Sequence, residues 1–355
     1  MKVAFNITPL KSGHKNRGIG FYCKNILENL KLRDDIEVIE FEDITKVKDV
    51  DIVHYPWFDL FFRTLPLRQK FPTVVTVHDV IPLIFKKQFP VGIRGKINFN
   101  IQKLSLRKCN VITVSETSKK DIVKFLKVPE EKIEVIYNGV SKDFRILSDG
   151  ENLKIKRKYN LHDRFIMYVG DADHTKNLPF LIEGFKKTKE IEKFKDLKLV
   201  LIGGVFLKKI EYTDNPELKS LREVLLKIKD YNLEADVLKL GQIETDELVS
   251  IYNLAQVYVQ PSLYEGFGLP ILEAFSSGTP VLSSNTAALK EIGGQAVIYF
   301  DPENLDQLTR LLGEILESRS LQTKLSKLGL QRVKNFSWSQ SVNQTIKVYE
   351  KAIRK

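Results

Sequence analysis

The fold is decided by residues 257–284, VYVQPSLYEGFGLPILEAFSSGTPVLSS, in which two short apolar runs are joined by a glycine-rich turn and a helix-length segment. Pro270 suits the first turn of a helix, where a missing N–H costs nothing, so a helix should begin there and end near Gly278. Gly266 and Gly268 precede it, and a glycine turn at a helix N-terminus lets backbone amides approach an anion. The stretch therefore predicts a strand, an anion-binding turn, a helix and a second strand.

Two glutamates eight positions apart, Glu265 and Glu273, flank this turn. Because Pro270 interrupts any continuous helix between them, Glu265 should lie on the loop and Glu273 in or just after the first helical turn. A carboxylate in a first turn has a structural explanation, since it complements the helix dipole by about 0.3 to 1 kcal/mol. That explanation covers Glu273 but not Glu265 and the glycines. The functional interpretation is that both carboxylates accept hydrogen bonds from sugar hydroxyls while the amides face a diphosphate.

The same alternation of strand and helix runs along all 355 residues, a length too great for one ordinary core. Apolar strands separated by helix-length segments indicate an α/β protein with two doubly wound parallel sheets of about six strands each. We expect the boundary within residues 141–163, with domains at 1–161 and 162–335, and a final amphipathic helix at 336–355 that crosses back to the first domain. The predicted strands are KVAFNIT, IEVIEF, DIVHY, TVVTVHD, NVITVS and IEVIYNG, then FIMYVG, LKLVLIGG, DVLKLG, VYVQPS, TPVLSS and AVIYFD.

The net charge of +11 lies entirely in the first half: residues 1–161 hold 30 basic and 19 acidic side chains, and the remainder holds 26 of each. A basic half attracts phosphates of nucleic acid, lipid headgroups or a lipid diphosphate. Residues 85–108 concentrate the charge and mix it with phenylalanines, as expected either of a solvated helix face or of a patch that binds an anionic membrane surface.

Composition also narrows the class of protein. No run approaches the roughly 18 apolar residues of a transmembrane helix, and the N-terminus lacks a signal-peptide pattern. Cys23 and Cys109 have no metal-ligand spacing and suggest a reducing compartment. We expect a cytoplasmic protein, with the basic segment as its means of binding the inner face of a membrane.

Further candidates lie in turns that follow strands, because ligands of open parallel sheets bind at the carboxyl ends of strands. Lys176 comes just before a helix with Asn177 as its expected cap, which suits a phosphate ligand or an ordinary surface lysine. Gly18 and Gly20 open a helix after the first strand, consistent with a phosphate-binding turn or with close packing. His78 ends the strand TVVTVHD, where a histidine of an arbitrary protein is more often structural.

These features together resemble the retaining nucleotide-sugar glycosyltransferases of family 4. The resemblance is densest over residues 165–301, where it includes PSLYEGFGLPILEAFSSGTPVLSSN, and weaker in the first half. It implies the GT-B fold of two Rossmann-like domains facing an interdomain cleft, with acceptor binding in 1–161 and nucleotide-sugar binding in 162–335. It also implies a front-face mechanism, in which the leaving diphosphate helps to deprotonate the acceptor and neither glutamate is a protonating acid.

The resemblance implies roles for individual residues. Its catalytic residues are Lys176 at the diphosphate, Glu265 at the donor sugar, and His78 at the sugar C6 hydroxyl and the reaction centre. Glu273 would bind the ribose hydroxyls. The donor-binding set is Gly18, Gly20, Lys176, Glu265, Gly266, Phe267, Gly268, Leu269 and Glu273, and the nucleobase is expected near Gly203, Gly204, Gln242 and Ile243.

The sequence departs from the family pattern at Asp171, which stands where many relatives carry a diphosphate-binding arginine. An acid cannot bind phosphate, so either another basic group, Arg17 or His174, takes this role or the activity is reduced. Asp171 and Asp173 form a D-x-D pair, but such pairs arise by chance and carry little weight. We expect no metal and no cofactor.

The function predicted is transfer of a hexose from a GDP- or UDP-linked sugar to a hydroxyl of a glycan or lipid-linked acceptor, with retention, in cell-envelope polysaccharide synthesis. The segments RGIG, HDVIPLIF and HTKNL resemble a bacterial mannosyl- and rhamnosyltransferase branch, which favours GDP-mannose. A sugar-nucleotide epimerase or a glycoside phosphorylase on the same fold remains open. The positive charge suggests a nucleic-acid-binding protein as an alternative of another class, but that would leave the glycine turn unexplained, so nucleic acid is not an expected partner. No feature indicates an oligomeric state.

Overall fold

The computed structural model describes residues 1–15, 17–208 and 216–354. The chain forms two compact units, one of Met1–Gly139 with Phe336–Lys355 and the other of Val140–Asn335. Lys355, the last residue of the predicted C-terminal segment, lies outside the described residues.

Within the described residues, the first unit contains one six-stranded sheet in the order β2-β1-β3-β4-β5-β6, with every neighbouring pair parallel. Chain order reverses between β1 and β3, so the loops after these strands diverge to opposite faces and leave a crevice at the carboxyl edge. The strands are β1 (Lys2–Asn6), β2 (Glu37–Phe41), β3 (Ile52–Tyr55), β4 (Thr73–Thr76), β5 (Asn110–Thr113) and β6 (Ile133–Val135).

Helices cover both faces of this sheet, and the final one comes from the C-terminus. Ser337 caps that helix through its hydroxyl, and Trp338, Ile346 and Tyr349 are buried in the same apolar cluster as Ile26 of the first unit. The C-terminal segment therefore completes the core of the first unit. Its helices are α1 (Thr8–Lys11), α2 (Gly18–Lys31), α3 (Ile81–Ile84), α4 (Ile93–Leu106), α5 (Glu116–Asp121), which continues as a π-helical turn, and the C-terminal helix Trp338–Ile353.

The second unit has a parallel sheet of six strands within its described residues, in the order β12-β11-β10-β7-β8-β9. The order reverses between β7 and β10, and in a doubly wound sheet such a switch point is where ligands bind. The strands are β7 (Phe165–Val169), β8 (Lys198–Ile202), β9 (Val237–Leu240), β10 (Val257–Gln260), β11 (Val281–Ser284) and β12 (Val297–Phe300).

Each face of the second sheet is again packed against helices, and the core consists of strand side chains such as Tyr168 and Leu199 with helix side chains such as Phe185 and Leu312. None of the helices formed by residues 1–15, 17–208 and 216–354 is long and apolar enough to cross a membrane. The helices of this unit are α6 (Asp149–Lys158), α7 (Leu178–Lys189), α8 (Pro216–Asp230), α9 (Thr245–Leu254), α10 (Leu269–Ser276), α11 (Ala287–Gly293), α12 (Leu305–Glu317) and α13 (Arg319–Arg332); the C-terminal helix of the first unit is α14.

The two six-stranded parallel sheets confirm the predicted α/β class and all the predicted strands, but the expected boundary within residues 141–163 comes too late in the chain. The units divide after Gly139 because residues 140–161 belong to the second unit. Ser148 and Glu151 form a reciprocal capping box that starts α6. This helix was not predicted, because its sequence is highly charged. The backbone N–H of Leu147 donates to Oδ1 of Asn253 on α9, at 2.8 Å, and ties this segment down.

Candidate active site

The switch point of the second sheet brings Lys176 and Glu265 together. The turn after β7 carries Lys176 and the turn after β10 carries Glu265, and the N–H of Leu263 donates to the carbonyl of Thr175 at 2.7 Å to join the two turns. The ammonium of Lys176 lies 2.9 Å from both carboxylate oxygens of Glu265. Both side chains are mostly buried, with 19% and 11% exposed, so the pair is a fixed element of the site rather than a solvated surface contact.

Neutral donors also hold Glu265. Its Oε1 accepts from Nε2 of Gln260 at 2.9 Å and from the hydroxyl of Ser262 at 2.7 Å. The hydroxyl of Tyr258 donates in turn to Oε1 of Gln260. Sequence reasoning missed these three residues, although a glutamine that ends the apolar strand VYVQ was a signal that a buried polar group needed a partner.

The glycine turn leads directly into α10, as predicted. Gly268 has φ 103°, a left-handed conformation, and an added Cβ would lie 2.6 Å from Cδ2 of Leu289, so the position requires glycine. Leu269 is the first helical residue, and Pro270 is the second. Gly266 and Phe267 form the preceding loop, and the Phe267 side chain is buried.

Glu273 lies just after the first turn of α10, partly buried. The hydroxyl of Tyr252 donates to its Oε2 at 3.0 Å. Burial raises the pKa of Glu273 to about 7, while the hydrogen bond from Tyr252 acts in the opposite direction. The rings of Tyr252 and Tyr258 lie 5.7 Å apart, so the supports of the two glutamates pack against each other.

The turn after β7 places its acidic residues in local structure. Oδ1 of Asp173 accepts from the N–H of Thr175 at 2.8 Å and caps a short 3-10 turn, while Oδ1 of Asp171 accepts from the next backbone N–H at 2.9 Å. His174 is exposed on the same turn. Asn177 is the N-cap residue of α7, as predicted, but its side chain makes no capping hydrogen bond. It adopts a left-handed conformation, and its amide donates to the carbonyl of Pro302 at 3.1 Å.

The predicted nucleobase region consists of two loops that lie side by side. The N–H of Gly203 donates to the carbonyl of Leu240 at 3.2 Å. Gly204 begins a 3-10 turn, and a Cβ added there would lie 4.0 Å from Cβ of Gln242. Gln242 is exposed and Ile243 is half-buried on the neighbouring loop. The arrangement offers backbone groups and few side chains for reading a base.

In the first unit, the two glycines after β1 prove to be unlike each other. Gly18 is the first residue of α2, and an added Cβ there would meet nothing within 4 Å. A Cβ on Gly20 would lie 2.4 Å from the carbonyl oxygens of His14 and Lys15, so Gly20 is required by close packing of the loop on the helix. Arg17 is the exposed N-cap residue of α2.

His78 follows β4 at the crevice of the first sheet. Its Nε2 lies 3.0 Å from the carbonyl oxygen of Pro56, and its ring meets the edge of Tyr22 with centroids 4.7 Å apart. Burial lowers the pKa of His78 to about 4, so the ring is neutral at physiological pH. Because a carbonyl can only accept, Nε2 carries the proton and Nδ1 is left as an acceptor. Asp79 caps the next turn, its Oδ1 accepting from the N–H of Ile81 at 3.0 Å.

A buried polar network that the sequence did not predict lies beneath His78. Oγ1 of Thr76 lies 2.9 Å from the Tyr22 hydroxyl and 2.9 Å from Nε2 of His54, whose Nδ1 is 2.6 Å from the Tyr349 hydroxyl on α14. Burial, followed by the nearby charge of His78, lowers the pKa of His54 to about 3. The network joins α2, two strands and the C-terminal helix.

The basic segment 85–108 contains α4, which is apolar on its solvent side. Ile93, Ile97 and Leu104 are 80%, 55% and 60% exposed, and their spacing of four and seven residues places them on one helix face. On the opposite face, Gln102 is buried and donates to the carbonyl of Asp59 at 2.6 Å. The same segment also carries exposed basic side chains, namely Lys86, Lys87, Arg94 and Lys96.

Comparison with known families agrees with this architecture. Residues 150–332 match the family of glycosyl transferases group 1, and residues 18–144 match glycosyltransferase family 4. These matches cover the candidate site of the second unit and the glycine turn and His78 of the first. The chain belongs to the family of glycosyl transferases group 1.

Named relatives support the same assignment. The chain is 30% identical over 282 residues to the O-antigen chain mannosyltransferase B of Escherichia coli, covering 78% of this chain and 70% of that protein. It is 27% identical over 279 residues to the serotype-specific mannosyltransferase WbdA of the same species, covering 77% of this chain. The chain spans only about a third of the length of the WbdA proteins, 33 to 34%.

Solved structures match the fold throughout. Alr3699/HepE of Anabaena, solved in complex with UDP and glucose, superposes with a TM-score of 0.76 at 15% identity, covering 99% of this chain and 100% of that one. At this identity the likeness shows the fold alone, which is the predicted GT-B class of two Rossmann-like units.

Proposed function

We propose that this protein transfers a hexose, with retention at the anomeric carbon, from a nucleotide diphosphate sugar to a hydroxyl of a glycan or lipid-linked acceptor in cell-envelope polysaccharide synthesis. The single observation that carries the proposal is the buried Lys176–Glu265 pair at the switch point between β7 and β10. Membership of the family and the mannosyltransferase names of its relatives support mannose as the hexose and GDP-mannose as the donor. A UDP-linked hexose is the alternative that the experiment below distinguishes.

In this proposal the second unit binds the donor. Lys176 is the cation for the diphosphate, and Glu265 accepts hydrogen bonds from the sugar hydroxyls. The backbone amides of Gly266 to Leu269 face the phosphates, as expected of a glycine turn before a helix. Glu273 binds the ribose hydroxyls, and the loops of Gly203, Gly204, Gln242 and Ile243 meet the base.

The chemistry assigned to these groups is charge stabilisation. Lys176 neutralises charge that develops on the leaving diphosphate, and the diphosphate itself accepts the proton of the attacking hydroxyl. Neither glutamate is a proton donor to the leaving group. His78 contacts the transferred sugar as a neutral ring. Its Nδ1 can accept a hydrogen bond from a sugar hydroxyl while Nε2 keeps its hydrogen bond to the Pro56 carbonyl. The glycine turn at Gly18 adds an approach for the diphosphate or acceptor.

Asp171 stands where many relatives carry a diphosphate-binding arginine, so the proposed site needs another cation for the diphosphate. We propose Arg17 or His174 in that role, since each is an exposed basic side chain on a turn that already belongs to the candidate set. If neither binds the diphosphate, Lys176 is the main stabiliser and the turnover is correspondingly lower.

The acceptor is proposed to bind the first unit, at the inner face of the membrane. The exposed apolar face of α4, with Ile93, Ile97 and Leu104 beside Lys and Arg side chains, suits insertion among anionic headgroups. A lipid-linked acceptor would then be presented in the plane to which the protein binds. Nucleic acid has no place in this proposal.

The test is a binding panel of UDP, GDP, ADP and dTDP with their hexose derivatives, read by thermal shift, followed by transfer assays with the ligand that binds best. GDP and GDP-mannose are expected to give the largest shifts, and NMR of the product should show the anomeric configuration of the donor. The proposal is overturned if none of the nucleotides or sugar nucleotides raises the melting temperature. It is also overturned if the anomeric configuration of the product is inverted relative to the donor. Stabilisation by UDP-hexoses instead would replace the donor and leave the transferase assignment in place.

A further inference from the structure

We infer that Gln260 and Ser262 are positioning residues that hold the Glu265 carboxylate in place when Lys176 turns from it to the diphosphate. The inference depends on the proposed function, because it assigns a task to the support of a donor-binding group. Neither the sequence patterns nor the comparison with known families assigns a role to these two residues.

The contacts form a directed chain that ends on a single carboxylate oxygen. Oε1 of Glu265 accepts three hydrogen bonds, from Lys176 at 2.9 Å, Gln260 at 2.9 Å and Ser262 at 2.7 Å. Oε2 accepts from Lys176 alone among the described residues. One oxygen is therefore fixed by neutral donors, and the other can face a ligand once the lysine moves.

The orientation of the Gln260 amide is itself fixed. The Tyr258 hydroxyl donates to its Oε1, so Nε2 must face the other way, where it donates to Oγ of Ser262 at 2.7 Å and to Glu265. Ser262 uses its oxygen to accept from Gln260 and its proton to donate to Glu265. Gln260 and Ser262 are 2% and 0% exposed, so water does not take their place.

This arrangement has a consequence for the donor complex. In the structure Lys176 supplies the charged partner of Glu265, and a partly buried carboxylate without partners is costly. A lysine that binds the diphosphate weakens its contact with Glu265. Gln260 and Ser262 are then the donors that remain, so their removal should harm the reaction with sugar nucleotide more than the binding of a nucleoside diphosphate.

The decisive variant is Gln260→Glu, which keeps the shape and the acceptor for Tyr258 but removes the donor that faces Glu265. The new carboxyl can donate to Glu265 only when it holds a proton. The variant's kcat/KM, divided by that of the wild type, should therefore rise at least tenfold as pH falls from 8 to 5.5. The other charged and titratable groups of this region are Lys176, Glu273, Tyr168, Tyr258, Asp171 and Asp173. They are the same in the wild type and the variant, so dividing by the wild-type value isolates the effect of the new carboxyl.

One control variant and one further test variant keep the test clear. Gln307→Glu makes the same chemical change at a glutamine whose oxygen accepts from the Asp301 N–H at 2.6 Å, a contact that glutamate retains, and its ratio should stay flat with pH. Ser262→Ala removes one donor without adding charge and tests the inference if Gln260→Glu does not fold. It should lower kcat/KM for the sugar nucleotide at least tenfold while nucleoside diphosphate affinity changes less than twofold.

The outcomes separate the two proposals. A wild type that neither binds nor uses any sugar nucleotide overturns the proposed function and this inference with it. An active wild type with a flat ratio for Gln260→Glu overturns the inference alone. Equal losses of sugar nucleotide and nucleoside diphosphate binding in Ser262→Ala also overturn it, because they indicate a structural role only.

Discussion

The ammonium nitrogen of Lys176 lies 2.9 Å from each carboxylate oxygen of Glu265, although the two residues are 89 positions apart in the chain. The contact follows from topology. Because β7 and β10 are parallel neighbours at the switch point of the second sheet, the turns that follow them lie side by side at the carboxyl edge of that sheet. A cation and an anion are thereby held together where, in the proposed function, the phosphate and the sugar of the donor meet. Either residue can be altered to test the site.

We expect Lys176→Met to lower turnover by about 10²- to 10³-fold, the usual cost of losing one preorganised charge stabiliser. The fold should persist, because Gln260 and Ser262 still hold Glu265. Steady-state kinetics with the best donor measure the change. Lys187→Met is the matched control, since Lys187 makes an exposed ion pair with Asp306. Near-normal turnover in Lys176→Met, or an equal loss in the control, would remove Lys176 from the catalytic assignment.

Glu273→Gln should stabilise the protein while weakening donor binding. The pKa of Glu273 is raised from 4.5 to about 7 in the folded state, so its ionisation at higher pH works against folding. The side chain's contribution to stability is fully present below its unfolded pKa of 4.5 and is lost progressively as pH rises to its folded pKa of about 7. The variant should therefore gain about 3 kcal/mol in the free energy of unfolding at pH 8 and little at pH 4.5.

Urea unfolding at both pH values measures this difference, and nucleotide titration measures the binding. A stabilised variant that binds donor normally would dismiss the ribose role of Glu273 without affecting its pKa. A variant no more stable at pH 8 than at pH 4.5 would contradict the raised pKa.

The two glycines of the first unit provide a matched pair. Gly20→Ala should destabilise the protein by about 2 kcal/mol or more, because its Cβ would lie 2.4 Å from backbone oxygens of His14 and Lys15. Gly18→Ala, with open space around it, should leave stability unchanged or raise it by up to about 1 kcal/mol. If Gly18 nevertheless faces a phosphate, its alanine variant should lose activity while remaining stable. Equal stability of the two variants in urea unfolding would contradict the close packing.

His54 makes stability depend on acid. Its pKa falls from 6.5 to about 3 on folding, so its contribution is fully present above pH 6.5 and declines as pH falls towards 3, by up to about 1.4 kcal/mol per pH unit. His54→Gln can keep a donor and an acceptor for Thr76 and Tyr349 but does not titrate. Its unfolding free energy should depend less steeply on pH between 6.5 and 4 than that of the wild type. If the unfolding free energies of the wild type and the variant depend on pH in the same way, the lowered pKa of His54 is contradicted.

The apolar face of α4 should decide membrane binding. Changing Ile93, Ile97 and Leu104 together to serine is expected to weaken binding to vesicles of phosphatidylglycerol and phosphatidylcholine at least tenfold, measured by co-sedimentation. Three exposed apolar residues elsewhere, Leu32, Ile191 and Leu226, serve as the control when changed in the same way. Unchanged binding in the first triple variant, or equal weakening in the control, would remove the membrane role from α4.

Local patterns in the sequence predicted much of this structure. The strands were recognisable because fully buried parallel strands are continuous apolar runs, and the helix after Gly268 because Pro270 marks its first turn. The boundary was misplaced because α6 is charged on most sides and owes its start to the capping box of Ser148 and Glu151.

Long-range contacts were beyond local patterns. The Lys176–Glu265 pair depends on which strands are neighbours, and strand order is set by packing of the whole unit. The same holds for His54, whose partner Tyr349 is 295 positions away on the C-terminal helix. In both cases a polar residue within an otherwise apolar strand, Gln260 in VYVQ and His54 in IVHY, indicated that a buried polar network existed.

The most direct test of the central claim, that Lys176 and Glu265 hold the donor, is calorimetric titration of the wild type and of Glu265→Ala with the preferred sugar nucleotide and with its nucleoside diphosphate. We predict that the variant loses at least tenfold in affinity for the sugar nucleotide. Its affinity for the nucleoside diphosphate should stay the same or rise, because Lys176 is released from the ion pair. Equal losses for both ligands, or no loss for either, would contradict the claim.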